Sequence, residues 1–297
     1  MFCLEDRKKI FLFITSEKHP SPFDLFVMYD AGADIVIPYG NVLPEEVRNL
    51  IIDTMFSRGP EGIKNTAIFV GGSTVKEGKR LLEEVKRTLF PPFEISVAFD
   101  PRGASTTSAA IVALVKRFFA KLGETLDGKI ATVFAGGGNI GSMTSYLLAY
   151  QGVKVNVVDI DLGRAMESVS STNLEIGDEK VHLFKLEEAE EACLASDLII
   201  STGPPGVRIV SMELLRKLNK CRLLVDSNPV PPHGIEGITA NHMLNEVLSG
   251  VYGIGSKAIG ALKLKTERIF LKKALEAPSG IFGPHEALEI AYSLTSF

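Results

Sequence analysis

Apolar runs of strand length alternate with longer amphipathic stretches from one end of the chain to the other. That alternation is the pattern of repeated strand, helix, strand units feeding a parallel sheet, so the chain reads as α/β throughout. In the first part, Ile10–Thr15, Ala67–Val70 and Ile95–Phe99 are the expected strands, each ending in turn-forming or small polar residues. Helices are expected between them. One begins at Pro44 with Glu45 and Glu46 in its first turn, as the helix dipole favours. Another covers Glu77–Leu89 with Leu81, Leu82, Val85 and Leu89 on one stripe. A third, roughly Thr106–Leu122, carries Ile111, Leu114, Val115 and Phe118 at helical spacing and stops at Gly123.

The polar stretch Glu124–Lys129 marks the expected domain boundary. Beyond it, Ile130–Ala135, Val153–Val158, Asp197–Ser201 and Arg222–Asp226 read as buried strands with helical material between them, one complete nucleotide-fold set. The last segments are helix-like with a break at Pro278-Ser-Gly280, too short to stand alone, and are expected to return to the first domain. The reading is therefore a small α/β domain over 1–123, completed by 268–297, and a doubly wound parallel-sheet domain over 124–267. No internal repeat or low-complexity tract interrupts it.

Composition narrows the function classes. The 297 residues are 45% hydrophobic and 23% charged, inside the globular range, which sets aside disordered, collagen-like and coiled-coil chains. The net charge of -4 speaks against a nucleic-acid partner, which would select a basic excess. Cys3, Cys193 and Cys221 are odd in number and widely spaced, giving neither a disulfide framework nor a zinc spacing, and fit a reducing cytoplasm. The charged N-terminus leads into an apolar run too short for a signal-peptide core or a membrane span, so neither secretion nor membrane insertion is expected.

The most informative stretch is Ile130-Ala-Thr-Val-Phe-Ala-Gly136-Gly-Gly138-Asn139-Ile140-Gly141, an apolar strand running into G-x-G-x-x-G and then a helix through about Tyr150. In that context the motif marks a Rossmann-type dinucleotide site. Gly136 would allow the tight turn, Gly138 the approach of a pyrophosphate, Gly141 close helix–strand packing, and the helix N-terminus at Asn139 and Ile140 would hold the phosphates. The next strand ends at Asp159, at about the ~20-residue spacing expected of an acid that bonds a ribose diol. That favours NAD over NADP. Arg164, about a turn into the next segment, would be able to swing toward a phosphate, which leaves NADP open; Asp159 or Asp161 reads alternatively as the cap of the helix near Leu162. Thr202-Gly203-Pro-Pro-Gly206 and Asp226-Ser-Asn228-Pro-Val-Pro-Pro-His-Gly234 follow the next two strands. Loops there border the ligand crevice of such sheets, so Thr202, Gly203 and Asn228 join the cofactor-binding candidates, although their prolines also serve to stop strands.

In an ordered set, Phe23-Asp24, Tyr29-Asp-Ala-Gly-Ala-Asp34, Tyr39-Gly-Asn-Val42, Thr66-Ala-Ile-Phe-Val-Gly-Gly72, Thr106-Thr107, Pro231-Pro232, the Gly-Ile-x-Gly-Ile repeat at Gly234 and Gly260-Ala-Leu-Lys-Leu-Lys265 resemble successive blocks of the bacterial NAD(P)-dependent methylene-tetrahydromethanopterin dehydrogenases. The resemblance covers nearly the whole chain. It implies an oxidoreductase of one-carbon metabolism, related in fold to the folate methylene dehydrogenases, that holds a tetrahydropterin between its two domains. It further implies a cytoplasmic homo-oligomer. The chemistry asks little of the protein: the methylene carbon lies between two nitrogens whose lone pairs stabilise the methenyl cation left by hydride loss, so no base is obligatory. Orientation is then the main source of rate, an effect able to supply ~7–11 kcal/mol. A folate-type dehydrogenase and an inactive dinucleotide-sensing protein on the same fold remain alternatives.

On the substrate side the resemblance marks Lys263 as the catalytic candidate, with Lys265 its solvent-facing neighbour. A charged ammonium beside a developing cation opposes hydride loss, so that role asks for burial that depresses the lysine pKa. Phe23 would stack on the pterin and Asp24 bond its N–H groups, or Asp24 caps the following helix. Tyr39, Asn41 and Val42 form a second such loop. Ser105 and Thr106 open a helix, as caps or as ligands for the substrate. In the same loop, Pro101-Arg102 departs from the family pattern, where smaller polar residues are common, which puts recognition of the substrate tail in question. Tyr150 and Lys154 match a Tyr-x-x-x-Lys pair of related enzymes but straddle a helix end and a strand away from the ligand side. His19, His182, His233, His242 and His285 share no metal-ligand spacing, and no metal is expected.

Overall fold

The computed structural model describes residues 7–295. Cys3 lies outside them. The chain divides into two compact units, one comprising the residues through Thr106 together with Leu264–Ile290, the other Thr107–Lys263 and the stretch from Ala291.

The first unit is built from β1 (Ile10–Ile14), α1 (Pro22–Asp30), β2 (Ile35–Tyr39), α2 (Pro44–Gly62), β3 (Thr66–Val70), α3 (Val75–Thr88), β4 (Ser96–Phe99) and the start of α4 (Ala104–Lys121). Its five-stranded sheet has the order β12-β4-β3-β1-β2, where β12 (Ile281–Phe282) arrives from the far end of the chain. All of its pairings are parallel, with Phe11 opposite Val36 on one side and Ala67 on the other. Strand β1 is paired on both sides, and Phe11, Phe13 and Ile14 are fully buried, which is why it reads as an uninterrupted apolar run. Each such side chain contributes about 1.5–3 kcal/mol on leaving water. By contrast β2 is an edge strand with Ile35, Ile37 and Tyr39 about two-fifths exposed, and Pro38 sits where an edge tolerates a missing donor. Only Val36 is buried there, so the sequence gives β2 little signal.

The second unit holds the rest of α4, then β5 (Ile130–Phe134), α5 (Asn139–Tyr150), β6 (Lys154–Val158), α6 (Leu162–Ile176), β7 (Val181–Phe184), α7 (Ala189–Leu194), β8 (Leu198–Ser201), α8 (Met212–Lys217), β9 (Leu223–Asp226), β10 (Met243–Leu248) and β11 (Val251–Ile254). The sheet order β10-β11-β9-β8-β5-β6-β7 reverses direction between β5 and β8, the switch point of a doubly wound fold. One departure from the expected parallel sheet stands at its edge. Strands β10 and β11 form an antiparallel hairpin around Ser249-Gly250, with Gly250 at φ 75. The units divide inside α4, ahead of the polar linker, because Ser108 donates to the Ile140 carbonyl at 3.0 Å and receives a bond from Thr144 at 2.9 Å, tying the body of α4 to α5.

After β11 the chain runs through α9 (Ser256–Glu276), β12 and α10 (Pro284–Thr295). The break expected at Pro278–Gly280 is real, and β12 pairs with β4, closing the first unit's sheet. Cys193 and Cys221 are unbridged and buried among Phe134, Ile199 and Leu224, where desolvation pushes both thiols up to about 12. Among the described residues no helix is long and apolar enough to cross a membrane.

Candidate active site

The glycine turn lies between β5 and α5, at the carboxyl edge beside the switch point. The left-handed residue in it is Ala135, at φ 55, and not Gly136 as the motif suggests. Gly136 is required for space instead: a Cβ there would lie 2.7 Å from Val157 Cγ1 and 3.0 Å from the Val133 carbonyl oxygen. Gly141 keeps its expected part, since a Cβ would press on the Ala135 carbonyl and stand 2.7 Å from Gly136 Cα and from Thr202 Oγ1. Gly138 differs. A Cβ there would meet only the Ala135 carbonyl oxygen, at 3.2 Å, so its outer side is open to a ligand. Gly138 is also the N-cap of α5, and no side chain caps that helix, whereas Ser21, Thr74, Asp161 and Ser211 each accept a backbone N–H at the start of α1, α3, α6 and α8. An uncapped start with a positive dipole and no acid in its first turn is suited to an anion, and it carries the predicted Asn139 and Ile140.

Asp159 follows β6 and is 4% exposed. Its Oδ2 accepts from the Gly137 N–H and its Oδ1 from the Asp161 N–H, both at 2.9 Å, so the carboxylate pins the glycine turn to the end of β6. Arg164 Nη2 lies 3.3 and 3.4 Å from the same two oxygens. The cap of α6 is Asp161, which accepts from the Arg164 N–H at 3.0 Å; Asp159 does not serve as one.

The loops after β8 and β9 are knitted together. Thr202 Oγ1 donates to the carbonyls of Phe134 and Ala135 at 2.9 and 3.3 Å, fastening the first loop to the glycine turn. A Cβ at Gly203 would run into Ile209. Asn228, 2% exposed, accepts from the Gly206 and Val230 N–H groups at 3.3 and 3.0 Å and donates to the Pro204 and Pro232 carbonyls at 3.5 and 3.2 Å. Asp226 accepts from the Asn228 and Ile235 N–H groups, and burial raises its pKa above the ordinary carboxylate value. His233 Nδ1 lies 3.0 Å from the Asn228 carbonyl oxygen. These two loops thus form a braced wall in which Thr202 and Asn228 are internal fasteners.

In the first unit the loops at the carboxyl edge of its sheet converge. Asn41, at φ 56, donates its N–H to the Glu17 carbonyl, and Val42 donates its own to the Thr15 carbonyl while its side chain is buried. Phe23 and Tyr39 are 48% and 41% exposed, whereas Asp24 is buried on α1, whose cap is Ser21 and not Asp24. Ser105 and Thr106 are fully buried. Ser105 Oγ donates to the Phe99 carbonyl at 2.9 Å and Thr106 Oγ1 to Asp100 Oδ2 at 2.6 Å, and Asp100 accepts both backbone N–H groups. Asp100, and neither hydroxyl, therefore caps α4, and the hydroxyls expected at the substrate are turned inward to hold this loop. Arg102, left-handed at φ 55, pairs with Glu17 at 2.5 Å. Sequence offered no sign of that pairing across 85 positions.

Lys263 is half-buried on α9 and Lys265 is exposed. Lys263 is the last residue of the second unit before the chain passes to the first at Leu264, as Thr106 is the last of the first unit before Thr107. Among the described residues no group of three or more His, Cys, Asp or Glu is arranged to hold a metal.

The family model for "Methylene-tetrahydromethanopterin dehydrogenase, N-terminal" matches residues 22–102. Two proteins of Methylorubrum extorquens strain AM1 are similar over nearly all of the chain. One, named bifunctional protein MdtA, is 34% identical over 96% of this chain and 98% of its own length. The other, named NAD(P)-dependent methylenetetrahydromethanopterin dehydrogenase, is 34% identical over 91% and 93%. Among solved structures, 5-ketofructose reductase of Gluconobacter sp. strain CHM43 has a TM-score of 0.51 at 12% identity, covering 97% of this chain and 99% of that one. Quinate dehydrogenase from Corynebacterium glutamicum in complex with NAD has 0.50 at 13% identity, covering 97% and 100%. At such identities these structures share the fold.

Proposed function

Since the chain belongs to the methylene-tetrahydromethanopterin dehydrogenase family, we propose that it transfers a hydride from methylene-tetrahydromethanopterin, or a close tetrahydropterin analogue, to NAD(P), leaving the methenyl form. The observation that carries this reading is the glycine turn. Its open side at Gly138 and the uncapped start of α5 fit the pyrophosphate of a dinucleotide, while the close fit at Gly136 and Gly141 keeps the turn rigid. The dinucleotide supplies the hydride acceptor. The rest falls to the chain. Gly138, Asn139, Ile140 and Gly141 bind phosphate, Asp159 fixes the turn, and Thr202, Gly203 and Asn228 keep the wall beside it in one conformation. In the first unit, exposed Phe23 and Tyr39 offer aromatic faces for a pterin, with Asp24 and Asn41 beside them in sequence, and Val42, Ser105 and Thr106 support those loops from within. Lys263 is the candidate for contact with the reacting part of the substrate. No group here has to remove a proton, and holding the carbon in reacting orientation is worth ~7–11 kcal/mol.

We infer further that the protein works in the cytoplasm as a homo-oligomer, a reading supported by the half-exposed apolar edge strand β2. The deciding assay mixes enzyme, methylene-tetrahydromethanopterin and NAD or NADP and follows the absorbance of reduced cofactor. Appearance of that band supports the dehydrogenase. A band only with methylene-tetrahydrofolate moves the assignment to folate, and none with either carrier, dinucleotide still binding, makes the protein a sensor.

A further inference from the structure

We propose that Glu267 is a positioning residue for the reaction: its carboxylate, buried one helical turn after Lys263, holds that ammonium in place and balances its charge. The inference rests on the reading of Lys263 as the residue that meets the reacting part of the substrate. It starts from an anomaly in α9, which runs unbroken over Ser256–Glu276. One stripe of that helix is buried and largely apolar, with Ile259, Leu262, Phe270, Leu271 and Ala274 on it. Glu267 lies on the same stripe and is 0% exposed, and Lys263 on it is half-buried. Every other charged residue of the helix is exposed.

A carboxylate so placed needs compensation from inside the protein. The buried carboxylates of Asp100, Asp159 and Asp226 stand at or just after strand ends, where each accepts a backbone N–H. Glu267 stands in mid-helix, where the backbone N–H groups are committed to carbonyls four residues back. Side chains then have to supply the compensation. Along the helix the positions three and four away are Lys263, Leu264, Phe270 and Leu271, so Lys263 is the cation within reach. Direction agrees as well: helical side chains lean toward the N-terminus, which carries the carboxylate back over the turn of Lys263. With lysine ahead of glutamate the order is the weaker one for an isolated helix, so helix stability alone does not account for the pair.

The pair answers a difficulty in the chemistry. As the C–H bond breaks, its electron pair leaves with the hydride for the nicotinamide, and the carbon keeps a positive charge shared with two nitrogens. A lone ammonium beside that carbon would oppose the step. One balanced by a carboxylate behind it orients the substrate with that repulsion offset.

The test is a double-mutant cycle on the whole enzyme with Glu267→Gln, Lys263→Met and both together, read by melting temperature and by steady-state kinetics with methylene-tetrahydromethanopterin. Lys263→Met strands the carboxylate and should melt below wild type; adding Glu267→Gln should recover at least half of that fall. Glu267→Gln alone should lower kcat at least fivefold and change the KM for NAD(P) less than twofold. In the Lys263→Met background the same substitution should change kcat less than twofold. Glu267→Asp, which keeps the charge, should retain more turnover than Glu267→Gln, and it takes the place of that variant in the kinetic cycle if Glu267→Gln fails to fold. Additive melting temperatures, or an equal loss of kcat in both backgrounds, would overturn the proposal. Wild-type turnover in Lys263→Met would overturn the Lys263 reading and this role with it, and is told apart by melting temperatures that still couple the two residues.

Discussion

At Gly138 a few atoms separate a binding site from a closed turn. The space outside its Cα is bounded only by the Ala135 carbonyl, so Gly138→Val is expected to fold with a melting temperature near that of wild type and to lose NAD binding in calorimetry. A dissociation constant like the wild type's would move the nucleotide site elsewhere. Lys263→Met should keep that binding and lower turnover at least tenfold, ~1.4 kcal/mol of transition-state stabilisation; unchanged turnover removes Lys263 from the reaction. Asp226 carries a pH signature. Its folded-state pKa is raised by burial above the unfolded value of ~3.9, so between those two values the native state holds a proton that the unfolded chain has released, and stability falls as pH rises. Asp226→Asn lacks this dependence, so wild type minus variant melting temperature should shrink from pH 3.5 to pH 7; a difference that grows instead contradicts it. The glycine spacing was readable because it answers to a backbone requirement at fixed separation, whereas Asp159 was singled out as a ribose-diol acceptor and its bonds to the Gly137 and Asp161 N–H groups left no mark in the sequence. The left-handed Ala135 was not readable, since alanine carries no mark of its φ, and the inward turn of Ser105 and Thr106 depends on Asp100, whose role becomes visible only once the loop is closed.

Among the elements, the wall formed by the loops after β8 and β9 depends most on one side chain. Asn228→Ala removes four bonds, two of them from the N–H groups of half-buried Gly206 and exposed Val230. Each bond lost contributes ~0.5–1.5 kcal/mol, so a loss of roughly 2–4 kcal/mol is expected in chemical denaturation. Hydrogen exchange should quicken at Gly206 and Val230 before it does in β5. Exchange unchanged at those two amides would show that the loops hold without the brace. Strands with continuous apolar runs, β1, β3, β5, β8 and β9, were legible because burial on both faces leaves no polar interruption. Strand β2 with Pro38, the short β7, and the hairpin of β10 and β11 were not, because an edge strand exposes one side and its composition drifts toward that of a loop.

On the scale of the whole molecule, the α/β class and the break at Pro278–Gly280 were legible from the strand–helix alternation and the chain-breaking residues. The place of division was not, because α4 continues as one helix through Thr106 and Thr107 and its allegiance is set by bonds from Ser108 to a helix that begins 31 positions later. Ending the chain at Ala277 removes β12 and with it Ile281 and Phe282 from the edge of β4, together with buried Leu288 and Ile290, roughly 3–6 kcal/mol for the latter two. Such a chain is expected to aggregate, seen as rising light scattering at 25 °C; a monodisperse product with wild-type melting would show that β12 is dispensable. The same closing strand sets an order of events on the ribosome. β1 to β4 are made first, yet the strand that covers the β4 edge is separated from it by residues 100–280, which take roughly 10–40 s to synthesise at ~5–20 residues per second. The second unit's seven strands are all complete by Ile254, before β12 exists. The part of the protein translated first is therefore the last to finish its sheet, and during that interval the nascent chain carries an open, apolar β-edge that a holding chaperone would be suited to protect.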